Sequence, residues 1–207
     1  MSRQYNRKEY LDVPFKDKER AKSLGARWDQ EKKRWYAPDY YGIDGFSEWN
    51  IDPNLASDHF YILSTPAKCW QCKGPTTVYA FGLPDGHQYS EFRDSNNRKI
   101  WTTATWQAIT SFVKRVPKNV YVLLKDIAPG YTPVHSTQAG FRYFMNHCDI
   151  CGSKIGDFQM HNEPGGEFHP SNIQALKYIN AERIDVEFEA NSGFSVCQEG
   201  GFKLPEI

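Results

Sequence analysis

The sequence predicts an α+β protein in which a small β-α-β-β module precedes a larger, sheet-rich domain. Three observations predict this organisation. Helix signals lie between strand-like runs near the N-terminus. Strand-like aromatic and apolar runs dominate from about residue 60 onward. Four of the five cysteines form two matched Cys-x-x-Cys pairs in that second part. We therefore expect a basic module at 1–52 and a zinc-stabilised α+β domain at 53–207.

Composition excludes several classes of protein. Aromatic residues make up 15% of the chain, which suits a packed core and argues against disorder. The 25 basic and 25 acidic residues cancel, so any electrostatic attraction to nucleic acid must be local. No apolar run is long enough to span a bilayer, and the first ten residues lack an apolar signal core. These features predict a cytoplasmic protein without a membrane partner.

The N-terminal module is predicted from three consecutive segments. "EYLDVPF" has strand character, and "KDKERAKSLGA" predicts a short helix with Asp17 and Glu19 in its first turn and Gly25 as its stop. "ARWDQEKKRWYAP" predicts a hairpin, because aromatic arms flank a polar turn. The turn-forming residues within 42–59 predict a linker after the module.

The larger domain is predicted in chain order from its apolar patterns. Strands are expected at "HFYILSTP" and "TTVYAFGLP", on either side of the first cysteine pair, and an exposed loop at "GHQYSEFRDSNNRK". Helical spacing predicts a helix at "TWQAITSFVKRVP", ended by Pro117, before a buried strand at "NVYVLLKDI". A strand at "AGFRYFMNHC", a capped helix at "HPSNIQALKYIN" and a closing hairpin at "RIDVEFEANSGFSVC" follow.

The paired cysteines predict one structural metal site. In the reducing cytosol, such pairs indicate metal ligands before disulfides. Each Cys-x-x-Cys turn places two sulfurs on one metal, and two turns complete a tetrahedral four-sulfur shell with no open position for chemistry. The sequence thus predicts a zinc-ribbon-like site with one Zn²⁺; the four ligands are Cys69, Cys72, Cys148 and Cys151.

The spacing of the cysteines leaves the nature of this site open. The 75 residues from 73 to 147 separate the pairs, many more than in simple four-cysteine modules, so a sheet or an inserted unit must bring them together. Iron also accepts four thiolates, although we favour zinc. A redox dithiol, or buried cysteines that bind no ligand, would also fit the sequence.

A polar stretch after the second cysteine pair is a further candidate for chemistry. "GDFQMHNEPGGEFHP" brings two carboxylates and two imidazoles close together in sequence: Asp157, His161, Glu163 and His169. One interpretation is an open hydrolytic or metal-binding site. A second interpretation, which we favour, is a polar loop that stabilises the second cysteine loop through its Pro-Gly-Gly turn.

The hairpin of the module carries the sharpest indication of binding. Residues 1–40 contain 11 basic and 7 acidic residues, a local net charge of +4. Cations interleaved with aromatic rings suit single-stranded nucleic acid, since cations contact phosphates and rings stack on bases. The alternative is that the rings form the core of the module. The candidate contacts are Arg27, Lys33, Arg34, Trp35 and Tyr36.

The stretch "LDVPFKDKERAKSLGARWDQEKKRWYAP…FSEW", from Leu11 to Trp49, resembles a small bacterial domain of unknown function that accompanies TraC-type plasmid primases and other mobile-element proteins. The resemblance implies contact with DNA or DNA-processing machinery. The domain itself has no established activity, and primase function does not transfer because this chain lacks room for a primase catalytic domain. The part containing "CWQC" and "HCDICGSKIGDF" resembles uncharacterised bacterial four-cysteine zinc-binding proteins, which implies metal at the cysteines.

Together these features predict a non-enzymatic zinc-binding adaptor or nucleic-acid-binding protein of bacteria, whose module contacts DNA or RNA, single strands above all. The first alternative is a regulatory or neutralising, immunity-type protein that binds another protein. The second is a hydrolase that uses Asp157, His161 and Glu163.

Overall fold

The computed structural model describes residues 3–4, 8–38, 46, 49–50, 52–95, 98–171, 173–197 and 202–205. The strands are β1 (Arg3–Gln4), β2 (Glu9–Leu11), β3 (Arg27–Asp29), β4 (Arg34–Ala37), β5 (Leu55–Ser57), β6 (Phe60–Lys68), β7 (Pro75–Leu83), β8 (Gln88–Arg93), β9 (Lys99–Thr103), β10 (Ala108–Arg115), β11 (Thr132–Ser136), β12 (Phe141–His147), β13 (Lys154–Ile155), β14 (Asn180–Ile184) and β15 (Phe188–Val196). The helices are α1 (Lys18–Ser23), α2 (Lys118–Ile127) and α3 (Ile173–Leu176), with a 3₁₀ turn at Phe15–Asp17 and a π-helical turn at Phe158–Asn162.

The N-terminal module folds in the predicted order of strand, helix, strand and strand. β2, β4 and β3 form an antiparallel sheet in that spatial order, and α1 crosses between β2 and β3 along the chain. Gly25 follows α1 with a φ of 99°, a conformation that glycine adopts without steric cost, so the helix ends where predicted. The linker predicted within 42–59 lies partly outside the described residues, at 42–45, 47–48 and 51.

One large antiparallel sheet dominates the rest of the chain. Among the described residues it has nine strands, in the order β1-β9-β8-β5-β15-β10-β7-β6-β14. A second sheet, β11-β12-β13, lies beside it. The predicted strands on either side of the first cysteine pair are β6 and β7, which pair with each other from Tyr61 and Gly82 to Lys68 and Pro75.

The chain is mostly sheet with few helices, so the α+β prediction holds only in part. The predicted helix before Pro117 is strand β10, and the predicted strand after it is helix α2. A β-bulge explains the first error: Phe112 adopts a φ of 50°, and the inserted residues break the two-residue alternation and mimic helical spacing. In α2, Val120 and Leu124 lie one turn apart and are both buried.

Two further predictions are wrong. The expected loop after Gly86 forms the hairpin β8–β9, since Gln88 to Arg93 pairs with Lys99 to Thr103. The expected closing hairpin does not form either, because β14 and β15 do not pair with each other: β14 binds the edge strand β6, whereas β15 is central, between β5 and β10. Long-range pairing overrides local sequence here, as is usual for strands.

Among the residues that the structure describes, three buried clusters make the core. The largest joins the inner face of the large sheet to α2 and contains the ring contacts of Phe60, Phe81 and Phe188, with centroids 4.9–5.6 Å apart. The second lies around Leu63, Val78 and Met160. The third belongs to the module. Within the part of the chain that the structure describes, no helix combines the length and apolar character that a membrane crossing requires.

Candidate functional site

The two cysteine pairs occupy the tight loops of two neighbouring hairpins. The first loop, 69–74, joins β6 to β7, and the second, 148–153, joins β12 to β13. Asn146 of β12 ties the hairpins together, because its side chain accepts a hydrogen bond from the Tyr79 amide (2.8 Å) and donates one to the Tyr79 carbonyl (2.9 Å). The large sheet and its neighbour therefore bring together loops that lie far apart in sequence.

Both loops share one backbone conformation. In the first, the Cys69 amide donates to the Gly74 carbonyl (2.9 Å), and the Lys73 amide donates to the Cys69 carbonyl (3.0 Å). The residue after the second cysteine has a positive φ in each loop, 61° at Lys73 and 70° at Gly152. The equivalent hydrogen bonds of the second loop run from Cys148 to Ser153 and from Gly152 to Cys148, both 2.9 Å long.

The four sulfurs converge on one point. Their Sγ atoms all lie within 4.8 Å of one another, and the Cys69–Cys151 and Cys72–Cys148 Sγ pairs are each 3.7 Å apart. A tetrahedral ion with metal–sulfur bonds of about 2.3 Å requires sulfur separations of about 3.8 Å. Disulfide bonds, at about 2.05 Å, are much shorter. The cysteines are free thiols that can hold one metal ion.

Contacts across the two loops fix their separation. The Asp149 carboxylate accepts hydrogen bonds from the Thr76 hydroxyl (2.9 Å) and the Thr77 amide (3.0 Å). The Trp70 indole N–H donates to the Lys154 carbonyl (2.8 Å). These bonds join the two loops, so the fold itself brings the four sulfurs near one another.

The thiols differ in acidity. Hydrogen bonding with the Ser153 side chain and with the Ser153 amide lowers the pKa of Cys151 to about 6, and the Cys72 amide lowers the pKa of Cys69 against the opposing effect of burial. The Gly74 amide lowers the pKa of Cys72, but burial and the neighbouring sulfurs outweigh it and raise the value to about 11. A cation among the sulfurs favours the thiolate form of all four.

The polar stretch after the second loop is folded inward at its start. Asp157 is buried, and its Oδ2 accepts the Phe112 amide of the bulge (2.6 Å); burial raises its pKa to about 7. His161 is also buried, with its ring stacked on Phe168 at 5.0 Å, and burial lowers its pKa to about 3. These two groups are interior residues that support the bulge and the core.

The rest of that stretch is a turn. Glu163 and His169 are exposed, and their carbonyls accept the amides of Gly166 (3.0 Å) and Gly165 (2.9 Å). A Cβ at Gly166 would lie 2.2 Å from the Gln159 carbonyl oxygen, which explains the glycine. Among the described residues, the cysteine cluster is the one group of three or more such ligands close enough to hold a metal. The hydrolase interpretation gains no support from this arrangement.

The side chains on one face of the module hairpin form ion pairs and cation–ring contacts within the protein. Arg34 pairs with the buried Glu189 of β15 (2.9 Å) and lies over the Tyr10 ring (4.8 Å). Lys8 donates to the Asp29 carboxylate (2.6 Å), which lowers the Asp29 pKa, and lies over the Tyr36 ring (4.7 Å). This face is directed toward the large sheet.

The opposite face of the hairpin is open. A cleft of about 420 Å³, here called the module cleft, lies between the start of α1 and the hairpin. Trp28 and Trp35 meet edge to face within it, 5.5 Å apart. Phe15 is 83% exposed and Trp28 is 42% exposed. The lining residues are Leu11, Asp12, Val13, Phe15, Lys18, Trp28, Lys33, Arg34 and Trp35.

The structure divides the five candidate contacts of the hairpin. Lys33, Arg34 and Trp35 line the module cleft, although the Arg34 guanidinium is engaged by Glu189. Arg27 and Tyr36 do not line it; they are register partners in β3 and β4, on the opposite face from Trp35. Sequence reasoning missed Phe15 and Lys18. The exposed aromatic after Pro14 was the available signal, but without the fold it was indistinguishable from a core residue.

The N-terminal module is similar in sequence to part of other proteins. Residues 8–50 match a family model described as a domain of unknown function, DUF5710. Over 42 residues the chain is 45% identical to a protein named DNA primase TraC of Escherichia coli, and over 42 residues it is 50% identical to a second E. coli protein of that name. The predicted resemblance of the module is therefore confirmed.

The shared region is small on both sides. It covers 20% and 19% of this chain and only 3% and 4% of the two primases. No solved structure matches the chain. The resemblance of the remaining residues to uncharacterised zinc-binding proteins stays a prediction.

Proposed function

We propose that this chain is a non-enzymatic nucleic-acid-binding protein in which one Zn²⁺ stabilises the sheet domain and the module cleft binds single strands. The proposal has two parts, a structural metal and a binding surface. They involve different residues and can be tested separately.

The donor set supports zinc. Four thiolates in tetrahedral positions are the ligands of structural zinc sites, and two Cys-x-x-Cys loops at hairpin ends are the arrangement of a zinc ribbon. All four positions are filled by protein, so no site is left for an activated water. The ion would stabilise the contact between the two hairpins, and Cys69 and Cys148, both buried, would shield it from one side.

The module cleft is the observation that carries the binding proposal. Phe15 and Trp28 are large rings that are exposed to solvent and line the same cleft, and exposed apolar surface gathered in one place is typical of an interaction site. Lys18 and Lys33 line the same cleft. Rings that stack on bases beside cations that contact phosphates make a sequence-tolerant single-strand site. The similarity of this module to part of proteins named DNA primase supports nucleic acid as the ligand.

Substitution of Trp28 by alanine tests the binding proposal. Fluorescence anisotropy with a labelled single-stranded oligonucleotide should show salt-sensitive binding to the parent protein. Trp28→Ala should weaken it about tenfold, because stacking of one base contributes about 1–3 kcal/mol. The melting temperature should change little, since the ring is partly exposed.

The matched control is Trp70→Ala, which removes another exposed tryptophan, 57% accessible, at the first cysteine loop. It should leave oligonucleotide affinity unchanged. Absence of binding by the parent protein at low salt, or equal losses in the two variants, would refute the module cleft as the binding site.

A protein partner is the second candidate function. Trp70 and Ile150 are both largely exposed on the cysteine loops, and exposed apolar side chains of this kind are enriched at protein interfaces. In that case Trp70→Ala would abolish recovery of one stoichiometric protein partner, and Trp28→Ala would not.

A further inference from the structure

Two cations of the module hairpin are paired with carboxylates of the large sheet. Lys32 lies in the hairpin turn and Arg34 begins β4, whereas Glu189 belongs to β15 and Glu187 lies just before that strand. Lys32 pairs with Glu187, and Arg34 pairs with Glu189 at 2.9 Å. Because residues two apart along an extended chain face the same side, the two carboxylates form a row opposite the two cations. The protein therefore neutralises part of its own basic hairpin.

The outer pair of this row is open to solvent. The side chains of Lys32 and Glu187 are 40% and 46% exposed, whereas Glu189 is only 3% exposed. The hydrogen bond to Glu187 raises the pKa of Lys32 against the effect of burial, and the charges of Glu31 and Asp58 raise it further. An ion pair in solvent contributes little to stability, so another anion can replace the Glu187 carboxylate at small cost.

The side of the hairpin that the carboxylates occupy has the composition of a single-strand surface. It is here called the covered face and consists of Tyr10, Lys32, Arg34 and Tyr36. The two tyrosines are register partners in β2 and β4 and meet edge to face, with ring centroids 6.4 Å apart. Arg34 lies over the Tyr10 ring at 4.8 Å. Rings that stack on bases beside cations that contact phosphates bind single strands, and here carboxylates take the place of the phosphates.

The contact between the covered face and β15 is polar. Among the described residues, no buried cluster combines module residues with residues of the large sheet. A hydrogen bond from Arg115 of β10 to the Asn50 carbonyl is a further polar link. Polar contacts between two units of one chain permit relative motion, and salt screens their ion pairs. The module can therefore separate from β15 without disrupting either apolar core. The module core consists of Leu11, Ala21, Ala26, Ala37, Phe46 and Trp49.

We propose that the covered face is a second binding surface for single-stranded nucleic acid, and that Glu187 and Glu189 inhibit it by occupying Lys32 and Arg34 in place of phosphates. An incoming strand displaces the carboxylates, and the hairpin then separates from β15. This inference rests on the proposed binding of single strands by the module, and it adds a regulated face to the open module cleft. Competition between strand phosphates and the protein's own carboxylates then sets the affinity.

Fluorescence anisotropy of the full chain with a labelled oligo-dT tests this competition. Glu187→Gln releases Lys32 and should tighten binding by about two- to threefold, as expected for loss of an exposed ion pair. Adding Glu189→Gln should raise the gain to about tenfold, because glutamine keeps an acceptor for Arg34 but removes the negative charge. The slope of log affinity against log salt should steepen by about 0.7 for each released cation that contacts a phosphate.

The matched control is Glu182→Gln, which removes an exposed carboxylate on β14, outside the row. It changes the net charge of the chain by the same amount as Glu187→Gln, but it should leave both the affinity and the salt slope at parental values. Glu187 is exposed, so Glu187→Gln should melt like the parent and remains informative if the double variant is destabilised.

Repeating the titrations in the Trp28→Ala background separates the covered face from the module cleft. There, Glu187→Gln should still tighten the residual binding by about two- to threefold. If the parent binds through Trp28 and neither glutamate variant gains affinity, the covered face is wrong and the module cleft stands. If only the glutamate variants bind, and Trp28→Ala does not weaken them, the module cleft is wrong and the covered face stands. No binding by any variant, or an equal gain in Glu182→Gln, would overturn the covered face.

Discussion

The cysteine region and the N-terminal module use polar and aromatic residues in opposite ways. Around the cysteine cluster, the groups with chemistry are either turned toward one another, as are the four sulfurs, or buried, as are Asp157 and His161. In the module, Phe15 and Trp28 are turned toward solvent beside two lysines. Side chains that contact one another or are buried contribute to the stability of the fold, whereas side chains exposed to solvent remain available to a ligand.

This contrast assigns different consequences to substitutions in the two regions. Changes at the clustered cysteines and the buried groups near them should lower the free energy of unfolding, and changes to the solvent-exposed side chains of the module cleft should lower affinity without loss of stability. The largest effects are therefore expected at the four clustered cysteines and the smallest at the exposed lysines.

Replacing one cysteine ligand should have the largest effect. Cys148→Ser removes a buried thiolate, so the protein should retain less than one zinc per chain by inductively coupled plasma mass spectrometry. Because a structural zinc contributes on the order of 10 kcal/mol in small zinc domains, we expect a loss of at least about 5 kcal/mol in the free energy of unfolding.

The control for this substitution is Cys197→Ser, since Cys197 is partly buried but lies outside the cluster. It should keep the full metal content. A Cys148→Ser protein with parental zinc and parental stability would show that the cluster is not a metal site, and iron in place of zinc would correct the identity of the ion.

The buried side chains of Asp157 and His161 should have the next largest effect. They should make the free energy of unfolding depend on pH in opposite directions. The pKa of Asp157 is raised from 3.8 to about 7, so between about pH 4 and pH 7 the folded chain holds a proton that the unfolded chain has lost, and stability falls as pH rises. The pKa of His161 is lowered from 6.5 to about 3, so stability falls as pH drops below about 6.5. At about 1.4 kcal/mol per pKa unit, each contribution is on the order of 4–5 kcal/mol.

Single substitutions should separate the two contributions. Urea unfolding of Asp157→Asn, which retains an acceptor for the Phe112 amide, should show stability rising with pH between about 4 and 6.5. His161→Gln should show stability falling over the same interval. If the stability of both variants changed with pH in the same direction, Asp157 and His161 would not both be buried. The interpretation of this stretch as an exposed polar site would then be favoured.

Local signals in the sequence were enough to predict the module and the cysteine cluster. Gly25 ends α1 because its own backbone adopts a positive φ, which is a local property of glycine. The hairpin that contains Trp28 and Trp35 is likewise local, because its two strands are joined by the five polar residues 29–33. The cysteine cluster could be predicted without knowing how the 75 residues between the two Cys-x-x-Cys motifs fold. One tetrahedral metal takes four sulfur ligands, so the two motifs are expected to lie together.

Features that depend on long-range pairing could not be predicted. The bulge at Phe112 is held by Asp157, 45 residues away, and it made β10 resemble a helix. The place of β15 in the centre of the sheet depends on β5 and β10, both distant in sequence. The role of Arg34 was hidden for the same reason, since its partner Glu189 is 155 residues away.

Arg34 provides the sharpest test of the contrast, because it belongs to the module by sequence and to the large sheet by contact. Arg34→Ala removes the ion pair to Glu189, whose side chain is only 3% exposed, and should cost about 2–3 kcal/mol of stability, less than a fully buried pair because Arg34 is 23% exposed. Lys33→Gln should instead weaken oligonucleotide binding by about two- to fivefold and change stability by less than about 0.5 kcal/mol. If Arg34→Ala weakens oligonucleotide binding at unchanged stability, Arg34 is a nucleic-acid contact as the sequence predicts, and the opposite face of the hairpin belongs to the binding surface.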